Sequence, residues 1–150
     1  MKNYDQFITV VAAVKKLLPG IKAEIVGKGP GQKILNDIII KNDLQNNIRM
    51  TGELPYDAVL DRMQRTKIFL HPSSAEGFSG VCMEALYAGA HVVSFCKPMN
   101  NDIEKWHITP SVEEMVSQTN KILGNLPGDY NRVLLYSIDE TAATFSALFF

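Results

Sequence analysis

A chain of 150 residues, 46% hydrophobic and 21% charged, suits one globular domain of ordinary size and excludes a disordered segment. Its net charge of -1 removes any electrostatic reason to expect nucleic acid or an anionic membrane as partner. No apolar run approaches the ~20 residues that span a bilayer, Met1-Lys2-Asn3-Tyr4-Asp5 lacks a signal peptide's apolar core, and the cysteines and histidines are not spaced as metal ligands.

Phe7, Val10, Val11, Val14, Leu17 and Leu18 recur at helical spacing, and Pro19-Gly20 stops the run. The β-branched residues between 8 and 14 leave a strand open as the alternative there. Residues 21–26 form a short, mostly apolar run ending at Gly27, which reads as a strand. Pro30 suits the first turn of a helix that would bury Ile34, Leu35, Ile38 and Ile39. Asn46-Asn47 marks a turn, and residues 48–51 a strand. Pro55 opens a helix with Val59, Leu60 and Met63 inward. Residues 67–70 read as a strand ended by His71-Pro72-Ser73-Ser74. A helix over 79–88 closes at Gly89, and an apolar strand covers 91–95. Cys82 and Cys96 read as reduced, structural thiols, with a bridge between them as the alternative. Past a loop at 97–101, residues 104–108 suit one more short strand. Ser111 before Glu113 and Glu114 starts a helix whose apolar face is Val112, Met115, Val116, Ile122 and Leu123. A connector at 126–129 leads to a last helix capped by Ser137 or Asp139.

Short apolar strands alternating with helices predict an α/β fold with a parallel sheet flanked by helices on both faces. Ligands of such sheets bind outside the carboxyl ends of the strands. The loops to inspect are therefore 27–31, 52–55, 72–80 and 96–101.

The segment from Pro72 to Leu86 holds the most chemistry. It joins a strand to a helix, so the N–H groups of Ser79, Gly80 and Val81 should point outward at a positive helix end. Gly77 and Gly80 remove side chains and let a ligand approach the backbone, which makes a phosphate site. The dipole contributes only about 0.3–2 kcal/mol, so a diphosphate needs a cation besides. Glu84 lies one turn into the helix and leans back toward its N-terminus, where its carboxylate can accept from a vicinal diol such as ribose. Glu76 lies ahead of the helix, on the other side of the phosphate position. Singly, Glu84 could complement the helix dipole and Glu76 could be a solvated loop charge. Together, carboxylates on both sides of an anion suit a ligand that is polyhydroxylated at both ends with phosphate between, a nucleotide sugar.

Glu76-x7-Glu84 followed by Ala85-Leu86-x2-Gly89-x2-Val92-Val93 resembles the E-x7-E motif of the retaining, GT-B-fold glycosyltransferases of family four, also called group 1. Ile25-Val26-Gly27-Lys28-Gly29-Pro30 resembles the family's glycine loop and Asn47-Ile48-Arg49-Met50-Thr51-Gly52 its next strand. Pro72-Ser73 stands where the family has it, and Tyr136-Ser137-Ile138-Asp139 resembles the start of its closing helix. The resemblance implies the Rossmann-like C-terminal half of a GT-B fold, which binds the nucleotide-diphosphate sugar donor. By the same resemblance, Glu76 faces the donor sugar in an electrostatic and positioning role. Backbone N–H groups of Gly77, Phe78, Ser79 and Gly80 meet the sugar and diphosphate, and Val81 follows them. Glu84 holds the ribose hydroxyls, Gly27 and Gly29 pass close to nucleoside and phosphate, and the base lies near Leu54 in Glu53-Leu54-Pro55. Lys2 matches a diphosphate lysine. Transfer would proceed with retention and without a metal or other cofactor, in line with the lack of a D-x-D motif.

There are departures from the family pattern. Asn3 stands where the family has a glycine after the lysine, no residue matches the family's upstream arginine, and Cys96-Lys97-Pro98-Met99 lacks the glycine pair expected after Val93. The family's central first strand and its acceptor-binding N-terminal domain have no counterpart, so a gap is expected beside the strand at Ile21. The acceptor, a sugar or lipid-linked glycan as in polysaccharide biosynthesis, would be held by that other domain. The expected location is the cytoplasm, peripheral to the membrane in a full-length enzyme. A non-catalytic module that binds a nucleotide or nucleotide sugar is the alternative. Phe145, Leu148, Phe149 and Phe150 predict self-association through exposed apolar surface.

Overall fold

A computed structural model describes residues 3–74, 79–96, 102–125 and 131–134. The elements, in chain order, are α1 (Tyr4–Lys15), β1 (Ala23–Val26), α2 (Gln32–Lys41), β2 (Ile48–Gly52), α3 (Tyr56–Arg65), β3 (Ile68–His71), α4 (Gly80–Tyr87), β4 (His91–Ser94), β5 (Trp106–Ile108) and α5 (Val112–Gly124). Every strand pairing is parallel, β1 with β2, β3 with β4 and β4 with β5. Among the described residues the ladder falls into two sheets, β1-β2 and β3-β4-β5, with no pairing between β1 and β3. That break lies where the sequence predicts a gap.

The helix α1 holds the two sheets together. Ile8 and Val11 face a cluster with Ile25, Ile39, Leu44 and Ile48, on the side of the first sheet. Val10 and Val14 face another with Val93, Met115 and Ile122, on the side of the second. A helix buried on two sides reads as apolar nearly all round, which accounts for the β-branched run that also suits a strand. A third cluster, of Cys82, Ala85, Leu86, Ala90, Val92 and Trp106, seats α4 on β4 and β5.

Two sequence expectations fail locally. Leu17 and Leu18 lie past the C-cap Lys16 and are exposed, because the helix ends before it can bring them to the core. Ile34 is 65% exposed. The stripe that packs is Leu35, Ile38 and Ile39, and Ile34 lies roughly 100° around the helix from Leu35, off that stripe. The expected helix start at Ser111 is observed: its hydroxyl accepts from Glu114 N at 3.2 Å. Gly89, with φ 100°, follows the C-cap Ala88 and ends α4. The closing helix and its phenylalanines fall outside the described residues. Neither Cys82 nor Cys96 forms a disulfide among the described residues, and no described helix is long and apolar enough to cross a membrane.

Candidate functional site

Strand β3 delivers the chain to His71, Pro72 and Ser73, all buried. The carbonyl of Ser73 accepts from the Cys96 thiol at 2.8 Å, so the exits of β3 and β4 are tied together. Glu76, Gly77 and Phe78 lie outside the described residues, as does Lys2. The chain is described again at Ser79, the N-cap of α4, where the backbone is extended (φ −84°, ψ 98°).

Serine at an N-cap ordinarily accepts a backbone N–H of the first turn through its hydroxyl. Ser79 does not. Its backbone carbonyl takes Cys82 N at 3.2 Å, and its buried hydroxyl has no hydrogen-bond partner among the described residues. Gly80 and Val81 follow as the first two helical residues, whose N–H groups no carbonyl of the same helix can reach. Both are exposed, and an added Cβ at Gly80 would meet nothing within 4 Å. One helix end thus presents outward-facing backbone donors beside an unused hydroxyl, the arrangement that receives an anion.

Glu84, one turn on, is half-buried, and its Oε1 accepts from the Tyr56 hydroxyl at 3.1 Å. This hydrogen bond, and the carboxylate's charge after it, raise the Tyr56 pKa above the ordinary phenol value. Tyr56 opens α3, directly after the loop that holds half-buried Leu54. The loop leaving β2 and the helix following β3 therefore meet at Glu84. Gly27 and Gly29 are exposed in the loop leaving β1. Gly27 N donates to Gly52 O at 2.8 Å, and both glycines have positive φ, 121° and 72°. That bridge joins the loops after β1 and β2, where only glycine adopts both conformations freely.

Asn3 closes the arrangement from the N-terminal side. Its backbone is left-handed, φ 44° and ψ 47°, and its Nδ2 donates to Pro72 O at 2.9 Å. Asparagine tolerates that region nearly as glycine does, which explains its presence at a position where the sequence pattern has glycine.

Of the residues singled out from sequence, the structure thus brings Ser79, Gly80, Val81 and Glu84 onto one helix end. It sets Leu54 in the loop joined to Glu84 through Tyr56, and ties Gly27 to Gly52. Tyr56, Ser79's unpartnered hydroxyl and the Gly27–Gly52 bridge were not foreseen. A tyrosine at a helix start is common, and only the pairing across 28 residues gives it meaning. Among the described residues no three His, Cys, Asp or Glu side chains gather as metal ligands.

Residues 1–125 match the family described as Glycosyl transferases group 1. The gpi3 subunit of phosphatidylinositol N-acetylglucosaminyltransferase from Schizosaccharomyces pombe is 36% identical over 93 residues, 62% of this chain and 20% of that protein. The GtfA subunit of UDP-N-acetylglucosamine--peptide N-acetylglucosaminyltransferase from Streptococcus agalactiae is 31% identical over 100 residues, 67% of this chain and 19% of its own length. The chain therefore spans about a fifth of these relatives. A crystal structure of a TarM mutant from S. aureus, in complex with Fondaparinux, alpha-GlcNAc-glycerol and UDP, superposes with a TM-score of 0.74 at 20% identity over 83% of this chain and 26% of that one.

Proposed function

The chain belongs to the group 1 glycosyl transferases, and from that premise we propose that it forms the donor site of a transferase that moves a sugar from a nucleoside diphosphate to an acceptor with retained anomeric configuration. The observation that carries the reading is the start of α4. Outward N–H groups at Gly80 and Val81 lie beside a buried Ser79 hydroxyl that has no partner among the described residues, with the Glu84 carboxylate one turn further along the helix. The diphosphate takes the donors, and Glu84 takes the ribose hydroxyls. Gly27 and Gly29 line the nucleoside side, where their lack of side chains lets the ligand approach the backbone, and Leu54 lies by the base. Glu76 and the N–H groups of Gly77 and Phe78 face the transferred sugar, and Lys2 supplies positive charge to the diphosphate. The donor is a uridine nucleotide bearing N-acetylglucosamine. The name of the streptococcal relative and the UDP in the TarM complex support this choice. The site uses no metal. The acceptor is held elsewhere in the full protein, so the isolated chain binds donor without turnover.

Calorimetric titration with UDP, GDP and ADP, with and without Mg²⁺, tests the proposal. A half-cleft should bind weakly, at a Kd on the order of 0.1–1 mM. UDP binding that is indifferent to Mg²⁺ and lost in Glu84→Ala is the expected result. Equal binding of all three nucleotides by the wild type and Glu84→Ala would remove Glu84 from the site.

A further inference from the structure

Glu84 is a carboxylate on a three-torsion side chain, and its only hydrogen-bond partner among the described residues is Tyr56. No cation pairs with it among those residues. Left alone, such a side chain samples many rotamers, and ordering it on ligand binding opposes binding. Tyr56 is placed to remove that freedom. It is the first residue of α3, after Pro55, whose φ of −56° is fixed by its ring and whose carbonyl accepts Val59 N at 3.1 Å. The phenol is therefore carried by a rigid helix end. It uses one lone pair of Oε1, and among the described residues nothing takes the second lone pair of that oxygen or either of Oε2. The tyrosine itself is 60% exposed, so it adds little to the core, and stability alone does not explain its contact.

We propose that Tyr56 is a positioning residue of the donor site, whose hydroxyl holds the Glu84 carboxylate in the orientation that receives a vicinal diol. The proposal rests on the reading of Glu84 as the ribose acceptor and deepens it. Tyr56 reaches the ligand through Glu84, so its effect must depend both on the diol and on the carboxylate.

The test is titration of the whole chain with UDP and with 2′,3′-dideoxy-UDP, for wild type, Tyr56→Phe, Glu84→Gln and the double variant. Urea midpoints serve to show that the exposed Tyr56→Phe change leaves the fold intact. Tyr56→Phe should weaken UDP by about threefold to tenfold, the worth of one hydrogen bond. It should leave the dideoxy ligand unchanged and have no further effect once Glu84 is glutamine. Equal weakening of both ligands, or none while Glu84→Gln still weakens UDP, would overturn the positioning role and leave the donor-site reading standing. A wild type that does not distinguish UDP from the dideoxy ligand, with Glu84→Gln unchanged, would overturn the reading of Glu84 and this inference with it.

Discussion

Asn3 Nδ2 donates to the carbonyl of Pro72 at 2.9 Å, across 69 residues of sequence, and so fastens the start of α1 to the segment that leaves β3. The same asparagine takes a left-handed backbone, outside the extended region of an ordinary N-cap, and its side chain makes no capping bond to its own helix. The two roles separate by substitution. Asn3→Gly keeps the backbone conformation and loses the hydrogen bond, which should cost about 0.5–1.5 kcal/mol. Asn3→Ala loses the bond and adds left-handed strain of about 1–2 kcal/mol. Urea denaturation should rank wild type above Gly and Gly above Ala; an Ala variant as stable as Gly would contradict the strain.

Gly27 and Gly29 share one loop and differ in what holds them. Gly27 has φ 121° and bridges to Gly52; no positive φ marks Gly29, and an added Cβ at either would meet nothing within 4 Å. Gly27→Ala should therefore destabilise by roughly 1–3 kcal/mol through the backbone alone. Gly29→Ala should leave the thermal midpoint close to wild type and, if the proposed donor site is right, weaken UDP by obstructing its approach to the backbone. Thermal melts and UDP titration of the two variants check this.

The indole N–H of Trp106 donates to Ser94 Oγ at 2.8 Å inside the second sheet, and Ser94 Oγ donates on to Cys96 O at 2.8 Å. Ser94 is fully buried, and Ser94→Ala strands the indole donor without water. A loss of about 1–3 kcal/mol is expected, measured by urea unfolding followed through the emission of Trp106.

His91 Nδ1 lies 3.1 Å from His107 Nε2, the rings stack at 5.4 Å, and Gln118 Nε2 lies 3.0 Å from His107 Nδ1. With the amide donating to Nδ1, His107 is neutral and its Nε2–H reaches His91. Desolvation, then the charges of His91 and Lys121, lower the His107 pKa below its usual 6.5. The unfolded chain, titrating near 6.5, then takes up this proton first as pH falls. The contribution to stability is present above about pH 6.5, falls as pH drops toward the folded pKa, and is gone below it. Urea midpoints between pH 8 and pH 5 should show the decline, and His107→Asn should flatten it; an unchanged slope in the variant would assign the dependence to other groups.

How much of this was legible in the sequence depended on the range of the interaction. Strand and helix order came from local periodicity and from punctuation such as Pro55, Gly89 and Ser111, and parallel pairing followed from alternation. The position of Glu84 one turn into α4 followed from counting. Ile34 and Leu17 went wrong because apolar spacing does not show where a helix stops or which 100° of it packs. The Tyr56–Glu84 and Asn3–Pro72 bonds join residues 28 and 69 apart, a separation at which one sequence gives no pairing signal. Spacing places Ser79 at the start of α4, and only the buried geometry shows its hydroxyl without a partner among the described residues.

The most direct test of the donor-site account is a map of backbone amide shifts in the whole chain as UDP is added. The account predicts that the largest changes fall at Gly27, Gly29, Leu54, Ser79, Gly80, Val81 and Glu84, all following the carboxyl ends of β1, β2 and β3. His91, at the opposite end of β4, should stay still. Shifts concentrated around His91 and His107, or none at saturating UDP, would contradict it.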